Sequence, residues 1–188
     1  MKTVNVEFKT SDNASRLELF VRIVWSIPTL VVLYVFSIVA GICLVIQWFI
    51  ILITGKRNME LNQVNSAFLA YCVKFDAYVY MVTDERSPII PTEKPMKNVK
   101  FSARSAPQAS RSELFVRILW LILTGIVMIA FSIIIFFCSI IEWLFILVIG
   151  KRNRSLNGAL RMFVIYVARS RSYLYMLTDE RSPIVPRS

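Results

Sequence analysis

The chain has 188 residues, 56% of them hydrophobic, and its mean hydropathy is +0.60. Its 22 Lys and Arg against 12 Asp and Glu, with no His, give a formal net charge of +10. That is too apolar for an ordinary water-soluble domain, and the charges are too unevenly spread for a nucleic-acid-binding surface.

In chain order, Met1 to Ser15 is polar and lacks the apolar core and small-residue cleavage site of a removable signal. Its Val4, Val6 and Phe8 alternate as a short strand would, a pattern only weakly marked later in the chain. Next comes Arg16-Leu-Glu-Leu-Phe-Val-Arg22, an amphipathic entry to an apolar stretch that runs from Ile23 to Gly55. A second such stretch runs from Ile118 to Gly150, and Glu142 is the one ionisable residue among Lys, Arg, Asp and Glu inside either. A bilayer enforces this kind of segregation. The basic excess therefore reads as topology and attraction to anionic lipid, and no nucleic-acid partner is expected.

The chain repeats itself. Arg16 to Trp25 returns as Arg111 to Trp120, Gly55-Lys-Arg-Asn58 as Gly150-Lys-Arg-Asn153, and Thr83-Asp-Glu-Arg-Ser-Pro-Ile89 as Thr178 to Ile184. Each pair is 95 residues apart, so no gap is needed from Ala14 to Pro91, and about half of the positions are identical. Residues 1–91 form one unit and 109–188 the other, joined by an extended, solvent-exposed linker over 92–108 rich in Pro, Lys and Ser.

As one helix each apolar stretch would be about 50 Å long, against a hydrocarbon core of about 30 Å. Basic residues flank both ends: Arg16, Arg22, Lys56 and Arg57 in one unit, Arg111, Arg117, Lys151 and Arg152 in the other. A single crossing would leave a basic cluster on each side, against the positive-inside tendency. The expectation is therefore a transmembrane hairpin over 16–55 and another over 111–150, bending near Ser37 to Gly41 and Ser132 to Ser139. After each hairpin, three- and four-residue apolar steps predict an amphipathic interfacial helix, over 63–83 and 158–178. The fold class expected is an all-α membrane protein of two parallel repeats, with an even number of crossings in each.

Gly55 is expected to end its helix in the left-handed conformation. Asp84, Glu85, Arg86 and Pro88, with Asp179, Glu180, Arg181 and Pro183, read as a structural turn in which the prolines stop the helix. Gln47 and Glu142 form the candidate intramembrane polar site, since an acid at membrane depth is by default a functional hypothesis. The flanking basics together with Arg154, Arg161, Arg169 and Arg171 are the candidate contacts to anionic lipid, and the second unit is the more basic.

Without His, nucleophile–base pairs of the common type are missing, and no Gly-rich cofactor loop stands in the sequence. Cys43, Cys72 and Cys138 have no metal-ligand or redox spacing. No catalytic, cofactor-binding or metal-binding residue is expected, and the chain reads as no enzyme.

The RxELFVRIxW run, the TGKRN break and the AYVYMVTDERSPI closure resemble a family of small prokaryotic membrane proteins known as a domain of unknown function. The resemblance covers both units, departing at Ile149 for Thr54 and Ser172 for Ala77. It implies a prokaryotic membrane location and supplies no activity. The expected setting is the inner, cytoplasmic membrane, multi-pass, with both termini cytoplasmic. The leading functional expectation is a non-catalytic accessory or scaffold subunit, packing against other membrane subunits or copies of itself. A membrane-shaping, lipid-interacting protein comes second and a small transporter or channel using Glu142 third.

Overall fold

The computed structural model describes residue 1 and residues 3–91 and 96–186. The elements in order are β1 (Val4–Phe8), α1 (Arg16–Thr54), α2 (Met59–Val79), β2 (Val99–Ala103), α3 (Arg111–Ile149) and α4 (Arg154–Leu174).

Neither apolar stretch is a hairpin. Each is a single helix of 39 residues, about 58 Å long, uninterrupted through Ser37–Gly41 and Ser132–Ser139. The serines do not need a turn, because Ser37, Ser132 and Ser139 donate to the carbonyls of Tyr34, Ile129 and Phe136 at 2.6, 2.7 and 2.8 Å.

Helix boundaries follow local chemistry. Ser15 caps α1, its hydroxyl accepting the Glu18 amide at 3.4 Å, in an S-x-x-E spacing. Gly55 and Gly150 end α1 and α3 at φ 70° and 76°, as expected. Asn58 and Asn153 then cap α2 and α4 by accepting amides two and three residues on. This starts both helices earlier than 63 and 158. They also stop earlier, at Val79 and Leu174, and not at the prolines. Met81 and Met176 take φ 58° and 59°, and the Val82 and Leu177 amides reach back to the Ala77 and Ser172 carbonyls at 3.0 and 3.1 Å.

The two units run against each other. Ala14 donates to Gly150 O and Ala109 to Gly55 O, both at 3.1 Å, so α1 begins where α3 ends and ends where α3 begins. Leu19 packs with Ile146 at one end, and Ile51 with Leu114 at the other. The long helices α1 and α3 therefore run antiparallel to each other.

The all-α expectation also gives way. β1 pairs antiparallel with β2, Val4 opposite Ala103, Val6 opposite Phe101 and Phe8 opposite Val99. Adding 95 to β1 returns β2 and subtracting 95 from β2 returns β1, so a pseudo-two-fold axis passes through the Val6–Phe101 pair. The linker 92–108 is therefore not one extended spacer: 92–95 lie outside the described residues, and Val99–Ala103 is half of a ribbon.

α2 and α4 form the middle layer, not surface helices. They pack on each other, on α1 and α3 on one side, and on the ribbon on the other. Val73, Ala77, Phe163, Val164 and Val167 make the centre of the core, with Val6, Phe8 and Phe101 of the ribbon laid against it. α1 and α3 bury only a stripe, and just 11% of the most apolar window of each lies inside the molecule. Both are long and apolar enough to cross a membrane.

Candidate functional site

Two buried clasps, one at each end of the molecule, hold most of the buried charge. In the first, Asp84 Oδ1 takes Arg22 of α1 at 3.1 Å together with Arg152, which belongs to the other unit. Its Oδ2 accepts the Ser15 amide at 3.1 Å. Arg152 donates Nε to Met81 O at 2.9 Å, and Nη1 to the Ser11 and Asn13 carbonyls at 2.7 and 3.0 Å. One guanidinium thus ties the turn after α2, the segment before α1 and the loop after α3.

The second clasp repeats this around Asp179, with Arg117 at 3.1 Å and Arg57 of the first unit. Arg57 Nε donates to Met176 O at 2.9 Å, and Nη1 to the Ala106 and Gln108 carbonyls, both at 2.8 Å. Because the bonds to the left-handed methionines come from the opposite unit, neither unit completes its own turn.

Beside each carboxylate a second network closes the box. Glu18 receives Tyr78 Oη at 2.7 Å and Arg86 Nε at 2.9 Å, and Glu113 receives Tyr173 and Arg181 at 2.6 and 2.8 Å. Trp25 and Trp120 donate to the Ser87 and Ser182 carbonyls at 2.9 and 3.0 Å, while Arg86 and Arg181 lie over the indoles. Burial, and then donation to Glu113, push the Tyr173 hydroxyl up to about 12, and the same causes raise Tyr78. Glu85 accepts the Lys97 and Asn98 amides, both at 2.9 Å, and Glu180 accepts the Thr3 amide at 3.1 Å. The acidic boxes are therefore joints. Pro88 is buried and Pro183 half-buried within them.

Gln47 and Glu142 share one task. Gln47 Oε1 accepts the Asn58 amide at 3.3 Å, and Glu142 accepts that of Asn153 at 3.2 and 3.3 Å. Each lies on the buried stripe of its long helix and braces the turn into the next one.

The basic residues expected at anionic lipid divide. Arg22, Arg57, Arg117 and Arg152 are buried in the clasps, which corrects that expectation for them. Arg16 and Arg111 donate to Val148 O and Ile53 O, both at 2.7 Å, capping the far end of the opposing apolar helix. Arg171 pairs with Asp76 at 2.8 Å, and Arg169 is half-buried. Lys56 and Lys151 are exposed, as is Arg154, which pairs with Asp12 at 2.7 Å. Arg154, half-buried Arg161 and Arg152 line a cavity of about 320 Å³ at the start of α4. Met59 and Ser66 stand at the positions of the first unit equivalent to Arg154 and Arg161.

Sequence reasoning leaves out Glu18, Tyr78, Met81, Trp25 and their counterparts as site residues. Each is unchanged at the 95-residue offset in a region where about half of the positions differ, which is the signal that could have found them. Among the described residues, no group of Cys, Asp and Glu is arranged to hold a metal ion.

A mostly helical molecule of two interlocked copies, with two helices long and apolar enough to span a membrane, is the class that this geometry defines. The chain belongs to the family described as Domain of unknown function (DUF4389), whose model matches twice, over residues 16–89 and 111–184. The matches take in both long helices and both acidic boxes and leave the ribbon outside. No curated protein and no solved structure matches the chain.

Proposed function

We propose that the chain is a non-catalytic integral membrane protein, acting as an accessory or scaffold subunit of a larger membrane assembly or homo-oligomer. The observation that carries this is the uncovered length of α1 and α3. Ile23, Tyr34, Ile53, Leu119, Ile129 and Val148 are each more than 50% exposed, so the chain alone leaves both helices needing lipid or other helices around them. The clasps support a structural role, since their charged groups are engaged with one another and with backbone.

The proposed setting is a cytoplasmic membrane with both termini on the cytoplasmic side. Thr3 hydrogen-bonds Glu180, which keeps the two ends of the chain together. Lys56, Lys151, Arg154 and Arg161 are the basics best placed for anionic headgroups. Extraction tests the reading in two steps. The chain is expected to stay with membranes through an alkaline carbonate wash, and then to run in mild detergent as an oligomer or with fellow subunits. Recovery as a lone monomer would sink the scaffold role.

A second reading, a lipid-interacting protein that shapes membranes, is favoured by the placement of the ribbon and of α1 and α3 on opposite sides of the middle layer. Its test is deformation of liposomes by the purified chain. A channel built on Glu142 ranks last, because that carboxylate braces the Asn153 turn. An ion flux that survives Glu142→Gln would remove it.

A further inference from the structure

We infer that the protein sits in the membrane from one side only, with α1 and α3 lying lengthwise in the acyl chains of a single leaflet. This rests on the membrane reading above and concerns how the helices meet lipid.

The ribbon sets the first constraint. The run from Thr3 to Ser11 joins the two clasps: Thr3 is bonded to Glu180 in the second, and the Ser11 carbonyl to Arg152 in the first. β2 makes the same journey in reverse, from Asn98 on Glu85 to Ser105 on the Leu177 carbonyl. If α1 and α3 crossed the bilayer, the two clasps would lie on opposite sides, and both strands would have to pass through hydrocarbon.

They are unfit to do so. Asn5, Glu7, Lys100 and Ser102 are exposed on the ribbon, and among the described residues it has two strands. Among those residues each strand therefore keeps one outer edge of backbone N–H and C=O groups without a neighbouring strand. Open sheet edges do not occur against lipid, and charged side chains at its centre are costly. Both clasps and the whole ribbon must face the same water.

The long helices fit the remaining role. They lie on the far side of the α2–α4 layer from the ribbon. Their apolar exposure is not one narrow face: Ile23 and Val24, Tyr34 and Val35, and Ile38 and Val39 are adjacent, point about 100° apart and are all at least 46% exposed. A helix resting at the headgroups carries a polar face, whereas these are surrounded by apolar surface and are submerged. The rim is marked at both ends. Trp25 and Trp143 lie by the first clasp, and Trp48 and Trp120 by the second, at the level where indoles and basic side chains meet headgroups. The pseudo-two-fold axis then stands along the membrane normal. In the membrane frame the two units face the same way, although their helices run antiparallel.

Single cysteines in a cysteine-free background test this in sealed vesicles of both orientations, using a membrane-impermeant maleimide. The positions are Lys56 and Lys151, exposed at opposite ends, Lys100 on the ribbon, and Ile38 and Ile133 at mid-helix. Lys56→Cys, Lys151→Cys and Lys100→Cys are expected to react from one and the same side, and Ile38→Cys and Ile133→Cys from neither. Reaction of Lys56→Cys and Lys151→Cys from opposite sides would overturn the inference. An impermeant amine reagent on the unaltered chain, read at Lys56, Lys100 and Lys151 by mass spectrometry, reports the same sidedness without substitution. Release by carbonate would instead defeat the membrane reading itself, so the two failures are distinguishable.

Discussion

The Asp84 clasp and the Asp179 clasp are built on matching arginines, carboxylates and left-handed methionines, yet the helices between them have diverged. Asp76 faces Arg171 where the repeat would place like residues, Asn65 is matched by Leu160, and Met59 and Ser66 by Arg154 and Arg161. The difference separates two kinds of constraint. At a clasp, one guanidinium satisfies three carbonyls and a carboxylate at once, so no other side chain can replace it. In the middle layer a position needs only to fill space, and asymmetric pairs can replace symmetric ones.

The largest expected effect tests whether the clasps are equivalent. Arg57→Met and Arg152→Met each remove one of the two guanidinium groups on a clasp carboxylate together with a donor to a left-handed methionine carbonyl, and each should cost about 3–5 kcal/mol. Reversible denaturation in detergent micelles measures this. Near-equal losses are expected, and a severe loss in one with a neutral result in the other would break the two-fold relation.

Next in size is a swap across the middle layer. Asn65 is fully buried, and neither its amide oxygen nor its nitrogen has a hydrogen-bond partner among the described residues. Leu160 fills the equivalent place in the core. Leu160→Asn should therefore cost about 2–4 kcal/mol, from lost apolar burial and a second unsatisfied amide. A neutral result would mean that the layer is looser than its packing implies.

The tyrosines sharpen the comparison through pH. Burial raises Tyr78 and Tyr173, and donation to a glutamate adds to it, taking Tyr173 to about 12. The folded state then holds these protons more tightly than the unfolded chain, whose tyrosines titrate near ~10. This stabilisation is complete below pH ~10 and is lost as pH rises towards ~12. Tyr78→Phe and Tyr173→Phe should each remove about 1–3 kcal/mol at neutral pH and flatten the alkaline melting curve. An unchanged alkaline limb in both variants would separate the tyrosines from the clasps.

Much of this is legible in the sequence, and what is not has a physical reason. The offset of 95 and the Gly55 and Gly150 ends can be read because each rests on local chemistry. The hairpin expectation rests on flanking arginines taken as topology signals. Arg22, Arg57, Arg117 and Arg152 are instead buried ion-pair partners, and the carboxylates they meet lie far along the chain or in the other unit. The ends of α2 and α4 escape because methionine, not glycine, takes the left-handed position there, so no residue type announces it. β2 is hidden in a Lys- and Ser-bearing segment whose Val99, Phe101 and Ala103 alternate as Val4, Val6 and Phe8 do. A strand that gains its partner only from the other unit is poorly marked by its own residues.

The smallest effect falls on the pair that the sequence marks as most unlike. Gln47 and Glu142 differ by a full charge, yet each accepts one backbone amide at the turn after its long helix. An amide oxygen performs that task as well as a carboxylate, so Glu142→Gln should shift stability by no more than about 1 kcal/mol. Thermal melting of the variant beside the unaltered chain measures it. A loss of several kcal/mol would mean that the carboxylate does something in the second unit that Gln47 does not do in the first. The two units would then differ at a bracing position, where their geometry is most alike.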